Sequence, residues 1–157
     1  MARAQAQALG IYRDLGDRAG QANALLHLGL VRLRTGNCQA AATVTEQALG
    51  IYRDLGDRSG ESEALNYKGT LYRVSGELAR AERCHQQVLE VACAITSSWD
   101  EAHALAGLGR CAIAAGHATQ AEILLRRALE IFQRIGAAEV PGLAARLEAL
   151  TSPPPAQ

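Results

Sequence analysis

The chain has 157 residues, of which 48% are apolar and 4% aromatic, and its 16 basic residues balance its 16 acidic ones. This composition fits a soluble domain with a sizeable core, and the scarcity of aromatic residues favours helices over strands. The balanced charge argues against a broad attraction to nucleic acid or an anionic membrane, and no stretch approaches the ~18 apolar residues of a membrane span.

The N-terminal segment is 1–17, and the stretch ALGIYRDLGDR at 8–18 recurs unchanged at 48–58. Gly16 is expected to end a helix in the left-handed conformation, and Asp17 to cap the next helix. We interpret residues 2–15 as the second helix of a pair whose first helix is absent, which suggests a fragment of a longer protein. The apolar residues of this helix are Leu9, Ile11, Tyr12 and Leu15.

The rest of the chain repeats with a period of 40 residues, giving units at 8–47, 48–87 and 88–127 and the start of a fourth. Each unit predicts two helices separated by a turn. A mid-helix glycine costs about 1 kcal/mol relative to alanine, so its recurrence predicts an antiparallel second helix that approaches closely. The recurring small residues are Gly29, Gly69 and Gly109 within the first helix, Gly36, Gly76 and Gly116 at the turn, and Ala41, Ala81 and Ala121 in the second helix.

The third unit begins with TSSWDE, where the first two have LGDR. Ser98 and Glu101 have the spacing of a capping box, which predicts Ser98 as the helix cap. Near the C-terminus we expect a capping helix at 137–150 and a disordered tail at 151–157. The predicted helix pairs are 18–55, 56–95 and 96–136.

These positions resemble the tetratricopeptide repeat, with its leucine, leucine-glycine, turn glycine and two alanines seven residues apart. The matching residues are Leu25, Leu28, Gly29, Gly36, Ala41 and Ala48 in the first unit, Leu65, Gly69, Tyr72, Gly76, Ala81 and Val88 in the second, and Leu105, Leu108, Gly109, Gly116, Ala121 and Ala128 in the third. The resemblance covers about 8–135 and implies an all-α, right-handed superhelical solenoid of antiparallel helix pairs. Lys68 and Arg32 depart from the pattern and are expected to reach water with their charged ends.

The 40-residue unit resembles the longer form found in LGN-type scaffolds, and more closely the C-terminal arrays of large actinobacterial regulators of the SARP and STAND types. This resemblance implies a sensor or regulatory module of a bacterial transcriptional regulator. Such a module would bind a protein, a peptide or other domains of its own chain.

In the resembled family, the first helices line a concave groove. The arginines of the corresponding stripe outnumber its one glutamate, which predicts a peptide ligand with apolar and acidic side chains. The alternative is a solvated face without a partner. The family's clamp for C-terminal carboxylates is not reproduced. The predicted groove residues are Asn23, Leu26, Leu30, Arg34, Glu63, Asn66, Thr70, Arg73, His103 and Arg110, with Leu33, Val74, Ala106, Ile113 and Ala114 beside them.

No sequence motif indicates catalysis, a cofactor or a metal. Cys84 and His85 are neighbours, so on a helix their side chains point about 100° apart, which is poor geometry for a thiolate–imidazole pair. The four cysteines form no CxxC motif, so we expect small core residues in a reducing, cytoplasmic location. Direct nucleic-acid binding is not expected, and Trp99 is expected to pack over the neighbouring turn.

A second hypothesis is self-association. The N-terminal helix is expected to expose Leu9, Ile11 and Leu15, which could pair with another copy of the chain to form a homodimer.

Overall fold

The computed structural model describes residues 2–152, all of whose regular structure is helical. The expected all-α solenoid of helix pairs is confirmed. The helices are α1 (Ala2–Asp14), α2 (Arg18–Arg34), α3 (Cys38–Leu55), α4 (Arg58–Val74), α5 (Leu78–Ile95), α6 (Ser98–Ala114), α7 (Ala118–Ile135) and α8 (Val140–Thr151).

The joints between units follow the predicted chemistry in the first two cases. Gly16 and Gly56 adopt left-handed φ values of 70° and 67°, which glycine tolerates without a Cβ penalty. The side chains of Asp17 and Asp57 then accept hydrogen bonds from the backbone N–H groups three residues later. These two aspartates therefore begin α2 and α4 as expected.

The third joint differs from the prediction. The cap of α6 is Ser97, whose Oγ accepts a hydrogen bond from the Asp100 backbone N–H at 3.2 Å, so the capping box predicted at Ser98 is wrong. The reason is the repeat register, because Ser97 lies 40 residues after Asp57. Thr96 takes the left-handed position with a φ of 56°.

The first helices of the units lie on the shorter side of the solenoid. Consecutive helices pack as pairs, and α4 also contacts both α2 and α6. The second helices α3, α5 and α7 do not approach one another in the same way. A stack whose first helices are closer together than its second helices curves toward the first helices, so α2, α4 and α6 line the concave face.

The recurring mid-helix glycines do mark a close approach, as predicted. A Cβ on Gly69 would lie only 2.6 Å from Nε2 of His85. The side chain nearest to each of these glycines lies in the second helix, four residues after the recurring alanine. The sequence pattern predicts contact with the alanine itself. The facing pairs are Gly29 with Thr45, Gly69 with His85, and Gly109 with Leu125.

The core consists of two apolar clusters, one centred on α2 to α4 and one on α6 to α8. Cys84 and Cys111 are buried as expected, but Cys93 is exposed, so the prediction of a core position is wrong for that residue. Cys93 lies on the face of α5 that no other helix covers. Arg32 donates to the Ala40 carbonyl at 3.1 Å, and the half-buried Lys68 pairs with Glu46.

The C-terminal helix α8 packs on α7 within the segment expected to cap the stack. Of the tail predicted at 151–157, Thr151 ends α8 and Ser152 follows it, while 153–157 lie outside the described residues. From Ala2 to Ser152, no helix has both the length and the apolar character that crossing a membrane would require.

Candidate functional site

The predicted groove residues do not all share one open surface. Leu26 is only 3% exposed and belongs to the first apolar cluster, so its assignment to the groove surface is wrong. The same position in the third unit, Ala106, is also buried. Both residues face the neighbouring helices because the first helices approach one another at this level. Exposed or half-buried positions are held by Asn23, Leu30, Arg34, Glu63, Asn66, Thr70, Arg73, His103 and Arg110.

Four of these residues meet at one cavity. The cavity has a volume of about 570 Å³ and lies between α4 and the N-terminal half of α6. It brings together Glu63, Asn66 and Thr70 of α4 with His103 of α6. The prediction missed the remaining lining residues, which are Ser59, Tyr67, Ser97, Trp99 and Asp100.

Beside the cavity, an aromatic residue that recurs at the other joints is missing. At the preceding joint, Tyr52 of α3 packs on Gly60 and donates a hydrogen bond from its hydroxyl to Oδ1 of Asn23 at 2.6 Å. Forty residues later, Ala92 takes the place of this tyrosine and Asp100 takes the place of the glycine. Tyr12 and Phe132 occupy the same position in the other joints, so a 40-residue comparison could have shown that this joint is exceptional.

The cavity carries two carboxylates. Asp100 is only 7% exposed, and its carboxylate accepts no hydrogen bond and forms no ion pair among residues 2–152. Glu63 stands at the rim, where burial and then the charges of Asp100 and Asp57 raise its pKa, partly offset by His27. Burial, and then the charge of Glu63, also raises the pKa of Tyr67 on the same wall. The cavity is therefore negatively charged.

An aromatic cluster forms the wall on the α6 side. The rings of Trp99 and His103 have centroids 4.6 Å apart, and His103 meets Phe132 edge-on at 5.0 Å. Burial lowers the pKa of His103, although Glu139, 3.6 Å from its Nε2, acts in the opposite direction. Trp99 is 48% exposed and packs over His103, one turn along α6.

A buried histidine packs between α4 and α6, beside Asn66 of the cavity wall. The ring of His85 lies between Gly69 and Gly107, and its Nδ1 is 3.0 Å from Oδ1 of Asn66. Burial, followed by the charges of Arg110 and Arg73, lowers the pKa of His85 to about 4. The ring is therefore neutral near pH 7, and the proton on Nδ1 can be donated to Asn66.

The opposite end of the same helices is basic. Burial lowers the pKa of Arg110, and the charges of Arg146 and Arg73 lower it further. Within 2–152, none of these three arginines forms an ion pair. Arg110 and Arg146 line a smaller cavity of about 260 Å³ beside α8. The groove is thus acidic near the starts of α4 and α6 and basic near their ends.

The described part of the chain holds no group of three or more His, Cys, Asp or Glu residues placed to bind a metal ion.

Comparison with known proteins agrees with this architecture. Residues 60–134 match the tetratricopeptide repeat family. That segment runs from the start of α4 to the end of α7 and includes both walls of the 570 Å³ cavity. No curated protein matches the chain in sequence.

Two solved structures share the fold. The apo form of RapI superposes with a TM-score of 0.82 at 17% identity, over 94% of this chain and 54% of that one. BtubC (BKLC) from P. vanneervenii also gives 0.82, at 19% identity, over 95% of this chain and 63% of that one. At these identities the likeness shows the fold alone. The chain spans about half to three fifths of the length of these two proteins.

Proposed function

We propose that the chain is a non-catalytic recognition module whose concave groove binds a peptide or an extended segment of a partner protein. Tetratricopeptide repeats generally mediate protein–protein interaction. The observation that carries the proposal is the cluster of Arg73, Arg110 and Arg146, because three neighbouring cations that form no ion pair among residues 2–152 repel one another, and a bound anion would relieve this repulsion.

The arginine cluster favours an acidic group on the ligand. An acidic side chain bound there would form charge-assisted hydrogen bonds with guanidinium groups that are already partly desolvated. Half-buried apolar positions such as Leu30 and Ile113 provide contact area along the same face. The ligand we propose is therefore an extended or helical peptide that combines apolar and acidic residues.

The module fits the regulatory part of a larger bacterial protein, such as a transcriptional regulator of the SARP or STAND type. The support is the resemblance of the 40-residue units and their LGDR joints to arrays in such regulators. In that setting the ligand would be either a separate protein or another domain of the same chain, held in the cytoplasm.

The test is selection of peptides from a random display library, followed by affinity measurements on variants. We expect the double variant Arg73→Glu with Arg110→Glu to bind the selected peptides with at least tenfold lower affinity. The control is Arg83→Glu with Arg134→Glu, which makes the same charge change at exposed positions of α5 and α7. Equal affinities for the two double variants would contradict binding in the groove.

A second candidate function is self-association through α1. Ile11 and Leu15 are 58% and 74% exposed, whereas the residue matching Ile11 in the third unit, Val91, is buried. Leu9 packs against the first apolar cluster and is only partly available. Light scattering over a range of protein concentrations tests this candidate, and a constant monomer mass at the highest concentration would exclude it.

A further inference from the structure

The cavity between α4 and α6 differs chemically from the arginine cluster. Its walls carry Glu63, Asp100 and the aromatic rings of Tyr67 and Trp99. An acidic ligand that suits the arginine cluster would be repelled here. The two ends of the groove therefore select for different side chains.

The carboxylate of Asp100 is the first argument for a ligand at this position. It is more than nine-tenths buried, faces the cavity, and accepts no hydrogen bond from any residue between Ala2 and Ser152. Its oxygens are open to the cavity, so they can accept hydrogen bonds from a ligand bound there. Such a group is expected to be completed by a bound cation or hydrogen-bond donor.

The repeat supplies a second, independent argument. At the preceding joint the tyrosine at position 52 fills the corresponding space, and its hydroxyl bonds the residue that matches Glu63, namely Asn23. At the cavity the ring is absent because position 92 is alanine. The residue that matches Asn23 is Glu63, which carries a carboxylate. Glu63 therefore lacks the tyrosine partner that Asn23 has, and it lines the cavity instead.

The aromatic wall narrows the choice of cation. Trp99 and Tyr67 lie beside the carboxylates, and an aromatic face attracts a cationic group placed over it. A guanidinium is planar, can donate to two carboxylates and can stack on an indole ring at the same time. An ammonium group can satisfy the charge but not the stacking.

We propose that this cavity receives the side chain of an arginine carried by the bound peptide. The proposal rests on the proposed function, and it adds that the ligand carries a basic residue at one end and an acidic residue at the other. Asp100 and Glu63 accept the guanidinium hydrogen bonds, and Trp99 stacks on its face. The hydrogen bond with His85 fixes the side-chain amide of Asn66 in the cavity wall.

Trp99 is the single tryptophan of the chain and lies at the cavity, so its fluorescence reports occupancy directly. We would titrate the chain with Nα-acetyl-arginine amide and, as a matched neutral probe, Nα-acetyl-citrulline amide. We expect a saturable change in the fluorescence of Trp99 with the arginine probe and no change with the citrulline probe. A change of equal size and affinity with citrulline, or no saturable change with arginine, would overturn the proposal.

Variants locate the binding. We expect Glu63→Gln with Asp100→Asn to reduce the affinity for the arginine probe at least tenfold. The control, Glu90→Gln with Glu130→Gln, removes the same charge from exposed positions of α5 and α7 and is expected to bind like the wild type. Retention of affinity in the cavity variant, or equal loss in the control, would overturn the proposal.

A second variant keeps the test decisive if the charge variant folds poorly. Ala92→Tyr with Asp100→Gly reproduces the tyrosine–glycine pair of the preceding joint, and it offers a tyrosine hydroxyl to Glu63 while it removes the Asp100 carboxylate. This variant is expected to lose arginine binding, and its retention would contradict the assignment. If selected peptides need Arg73 and Arg110 for binding but the arginine probe does not bind, only this inference is refuted. Arginine binding without any captured peptide would refute only the proposed function.

Discussion

The ring of Tyr52 and the α-carbon of Gly60 are in direct contact across the joint between the first two units. A Cβ on Gly60 would lie 2.2 Å from Cδ1 of Tyr52, closer than real Cβ contacts allow. The tyrosine hydroxyl is held by Asn23, so the ring cannot move aside without losing that bond. The size of one residue therefore determines what the other can be.

Gly60→Ala is the first prediction. The added methyl group should destabilise the chain by about 1–3 kcal/mol, because the ring or the α4 backbone must shift. Tyr52→Ala, which copies Ala92, removes the clashing atoms, so the double variant should lose less stability than the sum of the two single variants. Urea unfolding measures all three, and strict additivity would show that the two residues do not interact.

The second prediction concerns pH and His85. The pKa of His85 is about 4 in the folded chain and 6.5 in the unfolded reference. Above pH 6.5 the ring is neutral in both states and stability is unaffected by its titration. As the pH falls from 6.5 toward 4, only the unfolded chain takes up the proton, so the free energy of unfolding decreases.

The total loss assigned to His85 is at most about 3 kcal/mol. His85→Thr, which copies the equivalent Thr45, should remove this part of the pH dependence. Urea midpoints near pH 7 and near about pH 5 provide the comparison. His103, whose pKa is also lowered, acts in the same direction and remains in the variant. An identical pH slope in wild type and variant would contradict the prediction.

The third prediction concerns helix capping. His117 is the cap residue of α7 but makes no side-chain capping hydrogen bond, whereas Asn37 at the start of α3 accepts one from Ala40. His117→Asn should therefore stabilise the chain by about 0.5–1 kcal/mol. Asn37→Ala should destabilise it by a similar amount. Thermal or urea unfolding of the two variants checks both signs.

The fourth prediction is that arginine binding in the cavity weakens in acid. The pKa of Glu63 is raised above its usual 4.5, so its carboxylate becomes protonated earlier than an ordinary glutamate as the pH falls. Protonation of His103, which also faces the cavity, would add a repulsive charge. Fluorescence titrations of Trp99 at decreasing pH should show falling affinity, and the Glu63→Gln variant should show a smaller decrease. Affinity that rises in acid would contradict this account.

The fold could be predicted from the sequence because its determinants are local and repeated. Glycines that end helices, aspartates that begin them and apolar residues at helical spacing all recur every 40 residues. The error at Ser98 arose from reading one joint by itself. The repeat register placed the cap at Ser97 instead.

The site was harder to predict because it arises from differences between units. Glu63, Asn66, Thr70 and His103 could be placed near one another from their positions on the first helices. Ala92, a residue of the second helix, leaves Glu63 without the tyrosine partner that Asn23 has. Asp100 gained its burial from the packing of α6, which single-residue properties do not reveal.

The matched pairs across the joints have a consequence for the history of the array. Loss of one whole unit, residues 56–95, would preserve the 40-residue register and every cap. It would nevertheless place Tyr52 against Asp100, at the position where even a methyl group clashes with the ring. Removal of that unit would therefore also require a smaller residue at position 52 or a glycine at position 100.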